Sequence, residues 1–155
     1  RERAAATGLT VAATLRVDEA LPTAHERTWP AGDRTPGLGL LTLFHRKPGL
    51  DDATFLARWH HSHTPLTLQI HPVWNYVRNV VVEAVDPGGE RFDGVVEEQF
   101  RERRQLLDPT RFFGGPLRMI PNMARVGLDI ARFIDLRRIE TYLVHEYLVV
   151  PPPRG

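Results

Sequence analysis

The sequence predicts an α+β fold of the split βαβ, ferredoxin-like kind, an antiparallel sheet with its helices on one face. Three observations carry this. From residue 38 onward the order of patterns is strand, helix, strand, strand, helix, strand. The two middle strands are joined by a Pro-Gly-Gly turn, as in a hairpin. And the chain of 155 residues, 42% hydrophobic and 25% charged, is one ordinary domain with a core of its own.

Residues 1–37 read as an N-terminal strand and linker, either an edge strand or, as we read it, the tail of a preceding domain. Leu9 to Val17 is β-leaning, and Leu21 to Gly37, with Pro22, Pro30, Gly32 and Pro36, is the linker. The domain proper spans 38–150. Leu38 to Arg46 is an almost continuous apolar run closed by Lys47-Pro48-Gly49, which is strand then turn. Asp51 or Asp52 caps a helix whose buried stripe is Phe55, Leu56 and Trp59. Pro65 removes an N–H and disfavours helical geometry at Thr64, so the helix is expected to end near His63 and a second to run from Thr64 to Ile70. Trp74 to Val82 and Asp93 to Phe100 are the hairpin strands, with their turn at Asp86-Pro87-Gly88-Gly89. Arg101 to Leu107 is helical. Pro121 and Gly127 divide Leu117 to Phe133 into two short helices, Arg138 to Val150 is the last strand, and residues 151–155 are a proline-rich tail.

A sheet this apolar cannot leave one face in water. Leu38, Leu40, Phe44, Val80, Val82, Tyr142 and Val144 are too many to sit under two helices. Packing that face on a second sheet encloses a barrel, so the expected partner is a second copy, a homodimer through the sheet face, or a pseudo-dimer with a missing repeat.

Composition excludes other classes. Twenty basic against nineteen acidic residues, without a cationic block, leave no nucleic-acid footprint. No apolar run reaches membrane-spanning length, so no membrane partner is expected. The absence of cysteine removes disulfides and thiolate chemistry and fits a reducing compartment, here taken as cytoplasmic. Nucleotide, flavin and nicotinamide motifs are missing, so no cofactor is expected.

The residues that could carry chemistry crowd at Arg58-Trp59-His60-His61-Ser62-His63-Thr64-Pro65. His63, at the break, is the candidate general acid/base, because an imidazole titrates near neutral pH. The plainer alternative is that it seals the kink. His60 and His63 are three apart, but a third metal ligand is lacking, and no metal is expected. Tyr76 and Arg78 share one face of their strand and Asn79 the other, so only one set lines a cavity. Arg78 either binds a substrate oxygen or pairs with Glu97 or Glu98 across the hairpin. Trp59, Trp74, Phe112 and Phe113 are candidate pocket walls.

Phe44-His45-Arg46-Lys47-Pro48-Gly49-Leu50, Phe55, Arg58-Trp59, His63-Thr64-Pro65-Leu66, Tyr76-Val77-Arg78-Asn79, Asp93-Gly94-Val95-Val96-Glu97 and Phe133-Ile134-Asp135, in this order and spacing, resemble the EthD family of dimeric α/β barrels. The resemblance covers roughly residues 38–150. It implies a ferredoxin-like subunit dimerising through its sheet. It also implies a cofactor-independent enzyme of oxidoreductase or cyclase/decarboxylase type, acting on a small hydrophobic, aromatic or polyketide-like molecule. On that reading His63 and Glu97 are catalytic, Glu97 being the family-matching carboxylate, while Trp59, Tyr76, Arg78 and Asn79 bind substrate. The alternative is a non-catalytic carrier barrel. The chain departs from the family pattern at Asn79-Val80, where Asn-His is frequent, at Glu98-Gln99, where Trp is frequent, and in a longer insertion from Arg111 to Leu128.

Overall fold

The computed structural model describes residue 8 and residues 11–86 and 89–149. Five strands form one antiparallel sheet: β1 (Leu15–Thr23), β2 (Leu38–Phe44), β3 (Asn75–Ala84), β4 (Gly94–Phe100) and β5 (Glu140–Val144), in the spatial order β1-β3-β4-β2-β5. Without β1 this is the predicted split βαβ order. The helices are α1 (Asp52–Ala57), α2 (Thr64–Ile70), α3 (Arg103–Leu107), α4 (Pro109–Phe112) and α5 (Met119–Ile130).

Three elements differ from expectation. β1 forms later than Leu9 to Val17 and extends three residues into the expected linker, pairing with β3 at the sheet edge; Leu9 and Thr10 themselves lie outside the described residues. The rest of the expected linker is also held. The Thr35 N–H donates to the Glu146 carbonyl at 2.8 Å, and Trp29 and His25 stack against Trp74. Pro121 does not divide α5. It falls in the first turn, where a helix has no use for that N–H, and the helix runs unbroken through Gly127.

The third difference is at Pro65. The helix does not end at His63 but continues as a π-helical segment, Arg58–His63, into α2. A proline cannot give the N–H that an α-helix would aim at the His61 carbonyl. The backbone instead widens by one residue, the Thr64 N–H reaches the Trp59 carbonyl, and the Thr64 hydroxyl donates to the same oxygen at 3.0 Å. The result is one bent helical run from 52 to 70, started by Asp51, whose carboxylate accepts from the Thr54 N–H at 2.7 Å.

The helical run packs on one sheet face over a core of Phe44, Phe55, Trp59, Tyr76, Val96, Phe133 and Ile134. Gly94 sits opposite Phe44 in the β2–β4 register, and a Cβ there would run into the Phe44 and Trp59 rings. The glycine lets those aromatics lie directly on the sheet. Beyond α5 the chain is pinned back to the end of β2: the Lys47 N–H donates to the Phe133 carbonyl at 2.7 Å and the Asp135 N–H to the His45 carbonyl at 2.9 Å.

Of the residues thought to crowd one face, Phe44 and Val80 pack into the helix-side core, whereas alternation places Tyr142 and Val144 on the opposite face. That face also carries Leu41, Leu43, Val77 and Val95, and among the described residues no helix covers it.

Candidate active site

Alternation decides which strand residues can meet the helical run. Thr42 and Phe44 of β2, Tyr76 of β3, Val96 and Glu98 of β4, and Ile139 and Thr141 at β5 turn toward it. Opposite them Trp59, His63, Thr67 and His71, four residues apart in sequence, line up along the run. Between the two layers lies a cavity of about 150 Å³, lined further by Phe112, Val126, Ile130, Phe133 and Ile134. Its walls are mostly apolar and its polar groups few, the composition of a small-molecule site.

His63 is the best-supported polar group there. Its Nδ1 lies 3.0 Å from the Asp129 carboxylate, which also accepts the Ser62 hydroxyl at 2.7 Å. Both partners are enclosed, with 14% and 8% of their side chains accessible. A carboxylate only accepts, so the pair holds the imidazole proton on Nδ1 and leaves Nε2 as an acceptor, with the Thr67 hydroxyl 3.3 Å away. Burial pulls the His63 pKa below the ordinary histidine value, against the hydrogen bond and charge of Asp129, which hold it up. The ring is therefore an oriented, neutral base at pH 7.

The other cavity groups are neutral too. Burial drives His71 down to about 4, and its Nδ1 lies 2.9 Å from the Phe112 carbonyl, so the ring proton sits there. Burial pushes the Tyr76 hydroxyl up to about 12. That hydroxyl and the Trp59 indole N–H are buried close to each other and to Thr64, and neither makes a well-formed hydrogen bond.

The six residues singled out from the sequence separate into three groups. Trp59, His63 and Tyr76 line the cavity. Arg78 shares their sheet face but sits behind Trp59: its guanidinium lies 5.9 Å from the Trp59 ring and donates to the Thr64 hydroxyl at 3.2 Å, and it pairs with neither Glu97 nor Glu98. Asn79 and Glu97 are on the opposite face, where the Asn79 amide donates to the Glu97 carboxylate at 3.1 Å. Glu97 is solvent-exposed as a residue. Lost hydration raises its pKa, and the nearby Glu146 and Glu19 charges add to this against the Asn79 bond. Among the other predicted walls, Phe112 lines the cavity, Phe113 packs behind it on Phe112 and His71, and Trp74 belongs to the outer stack with His25 and Trp29.

Four site residues were not foreseen in these roles. Asp129 is the clearest. It sits on the buried face of α5 with Asn122, Val126 and Ile130, and a carboxylate among those positions is its only mark in the sequence. Glu98 lies between Val96 and Phe100 on the inward face of β4, so strand alternation alone would have found it. Thr67 and His71 follow from His63 once the helix is known to continue past Pro65. Among the described residues no three His, Asp or Glu side chains converge in a way that could hold a metal ion.

The profile of the EthD domain family matches residues 47–137. A solved structure of an ethyl tert-butyl ether d (EthD) family protein from Bacillus halodurans C-125 superposes with a TM-score of 0.52 at 19% identity, over 70% of this chain and 97% of that one. At that identity the likeness speaks for the fold. No curated protein matches the chain.

Proposed function

The chain belongs to the EthD family, and from that premise together with the cavity we propose that it is a cofactor-independent enzyme in which His63 acts as a general base on a small hydrophobic molecule. The observation that carries this is the His63–Asp129 pair at 3.0 Å on the wall of a mostly apolar cavity, with the Thr67 hydroxyl 3.3 Å from Nε2. Asp129 orients the ring and stabilises the imidazolium formed when Nε2 takes a proton. The reaction class is abstraction of a proton beside a carbonyl, a step common to cyclase and decarboxylase chemistry and to the oxidoreductase reading. Trp59, Phe44 and Phe133 supply the faces against which a planar substrate packs, and Arg78 holds Trp59 in place.

Size narrows the substrate. A cavity of about 150 Å³ is the size that holds a benzene ring, so a single-ring compound fits the site, whereas a polycyclic polyketide requires the walls to move. A polar group at each end of this space favours turnover over simple carriage.

The reading includes a homodimer through the uncovered sheet face, where Leu41, Leu43, Val77 and Val95 surround the Asn79–Glu97 pair. This would bury the apolar residues away from the cavity, making Glu97 and Asn79 interface residues.

Cyclohexanone is a single-ring probe with exchangeable α-protons. In D2O the protein is expected to speed their exchange, followed by proton NMR, and His63→Ala to abolish the effect while circular dichroism stays unchanged. Exchange that survives His63→Ala removes His63 from the mechanism, and no exchange by the wild type removes the proton-transfer reading.

A further inference from the structure

Glu98 has no evident reason to be where it is. On β4 it shares the inward face with Val96 and Phe100, stands opposite Tyr76 in the β3–β4 register, and is only 9% exposed. Nothing pairs with it. Among the described residues no cation lies within ion-pair distance and no group donates it a hydrogen bond; the nearest arginine on that face, Arg78, is turned to Thr64 and Trp59. A buried, unpaired carboxylate costs the fold several kcal/mol, and a buried carboxylic acid far less. Loss of water is accordingly the single influence on Glu98, and it carries the pKa up to about 7. Below about pH 7 the side chain is thus held as the protonated acid at the wall of the same cavity that His63 lines from the other layer.

We propose that Glu98 is the second proton-carrying group of this cavity, giving its carboxyl proton to the oxygen of a single-ring carbonyl compound while His63 Nε2 removes the proton from the adjacent carbon. This rests on the proposed role of His63. In the step the substrate C–H bond breaks and its electron pair becomes the C=C bond of an enol. The carbonyl oxygen takes the Glu98 proton, and the site is left with imidazolium and carboxylate, two opposite charges that recombine when the enol returns or reacts on. No oxidant or further reactant is needed. A donor fixed where negative charge develops is among the strongest contributions a protein makes to such a barrier. Tyr76, the register partner of Glu98, keeps its hydroxyl buried toward Trp59 and Thr64.

The two groups set opposite limits on pH. The titratable side chains lining the cavity are His63 and His71 from the helical run, Tyr76 from β3 and Glu98 from β4, with Asp129 of α5 behind His63. Activity needs neutral His63 and protonated Glu98, which gives a bell with an alkaline fall near 7. Neither Tyr76, titrating at about 12, nor His71, at about 4, can produce that fall.

The test is Glu98→Gln, which keeps the shape and a hydrogen-bond donor but carries no transferable proton, assayed by α-proton exchange of cyclohexanone from pH 5 to 9. The proposal expects exchange to drop about a hundredfold and the fall above pH 7 to vanish while the acid limb stays. Exchange within twofold of wild type with the same profile overturns the role of Glu98 and leaves that of His63 standing, since His63→Ala still separates the two. If the wild type exchanges nothing, the Glu98 carboxyl carbon followed by 13C NMR decides. Titration near 7 and a shift on adding cyclohexanone support a cavity-facing acid, and titration near 4.5 or no response to the ketone overturns it.

Discussion

Between pH 6.5 and 4.5 two buried groups of the cavity pull stability in opposite directions, and Glu98→Gln separates them. His71 has its pKa lowered from 6.5 to about 4. As pH falls below 6.5 the unfolded chain takes up a proton that the folded chain refuses, so stability is lost on the way down to about 4. Glu98 has its pKa raised from 4.5 to about 7. Below 4.5 both states hold that proton; as pH rises the unfolded chain releases it first, so the Glu98 contribution is full below 4.5 and is lost on the way up to about 7. The full slope is about 1.4 kcal/mol per pH step and is reached only between the two pKa values, so over this window each contributes about 2 kcal/mol, with opposite sign. Wild-type stability should be nearly flat there apart from the histidine and carboxylate effects elsewhere. Glu98→Gln removes one arm. Its unfolding free energy from urea titrations should fall, relative to wild type, by about 2 kcal/mol between pH 6.5 and 4.5. Parallel curves for the two proteins would refute the buried, protonated Glu98.

Asp129→Asn takes away the charge, and with it the charge-assisted hydrogen bond, that hold the His63 pKa up, so the His63 titration by NMR should move further down, and cyclohexanone exchange should fall about a hundredfold; an unmoved titration contradicts the pair. Gly94→Ala places a methyl against the Phe44 and Trp59 rings, and urea unfolding should show a loss of about 3 kcal/mol; a neutral effect would mean the rings do not lie on the sheet. The proposed homodimer predicts that the wild type will sediment as a dimer and that Leu43→Asp on the uncovered face will leave the fold intact but give a monomer; a variant that still dimerises places the interface elsewhere, and a monomeric wild type removes the proposal.

Much of this was legible in the sequence because hydrophobic runs and turn chemistry are local. Leu38 to Phe44, the Asp51 cap, the two hairpin strands and their pairing all follow from residues close in the chain. The expected break at His63 did not materialise because a proline removes one hydrogen bond without dictating how the backbone compensates. Here a π-turn and the Thr64 hydroxyl take up the loss. Pro121 misled in the same way, its position in the helix depending on where α5 starts, which is set by Gly115 and packing and not by the proline.

The candidate site was half legible. His63 was found from its own chemistry and neighbours, and strand alternation already separated Tyr76 and Arg78 from Asn79. Asp129 was not found, because it is 66 residues from His63 in sequence and meets it only when α5 folds back under the pin between Phe133 and Lys47. Glu97 was preferred to Glu98 on resemblance. Register places Glu98, and not Glu97, in the cavity with His63.

The most direct measurement of the central claim is the protonation state of the His63 ring, read from its two imidazole 15N shifts at pH 7. A base poised by Asp129 is neutral, with the proton on Nδ1 and Nε2 unprotonated beside the Thr67 hydroxyl. A ring protonated on Nε2, or an imidazolium at that pH, would contradict it.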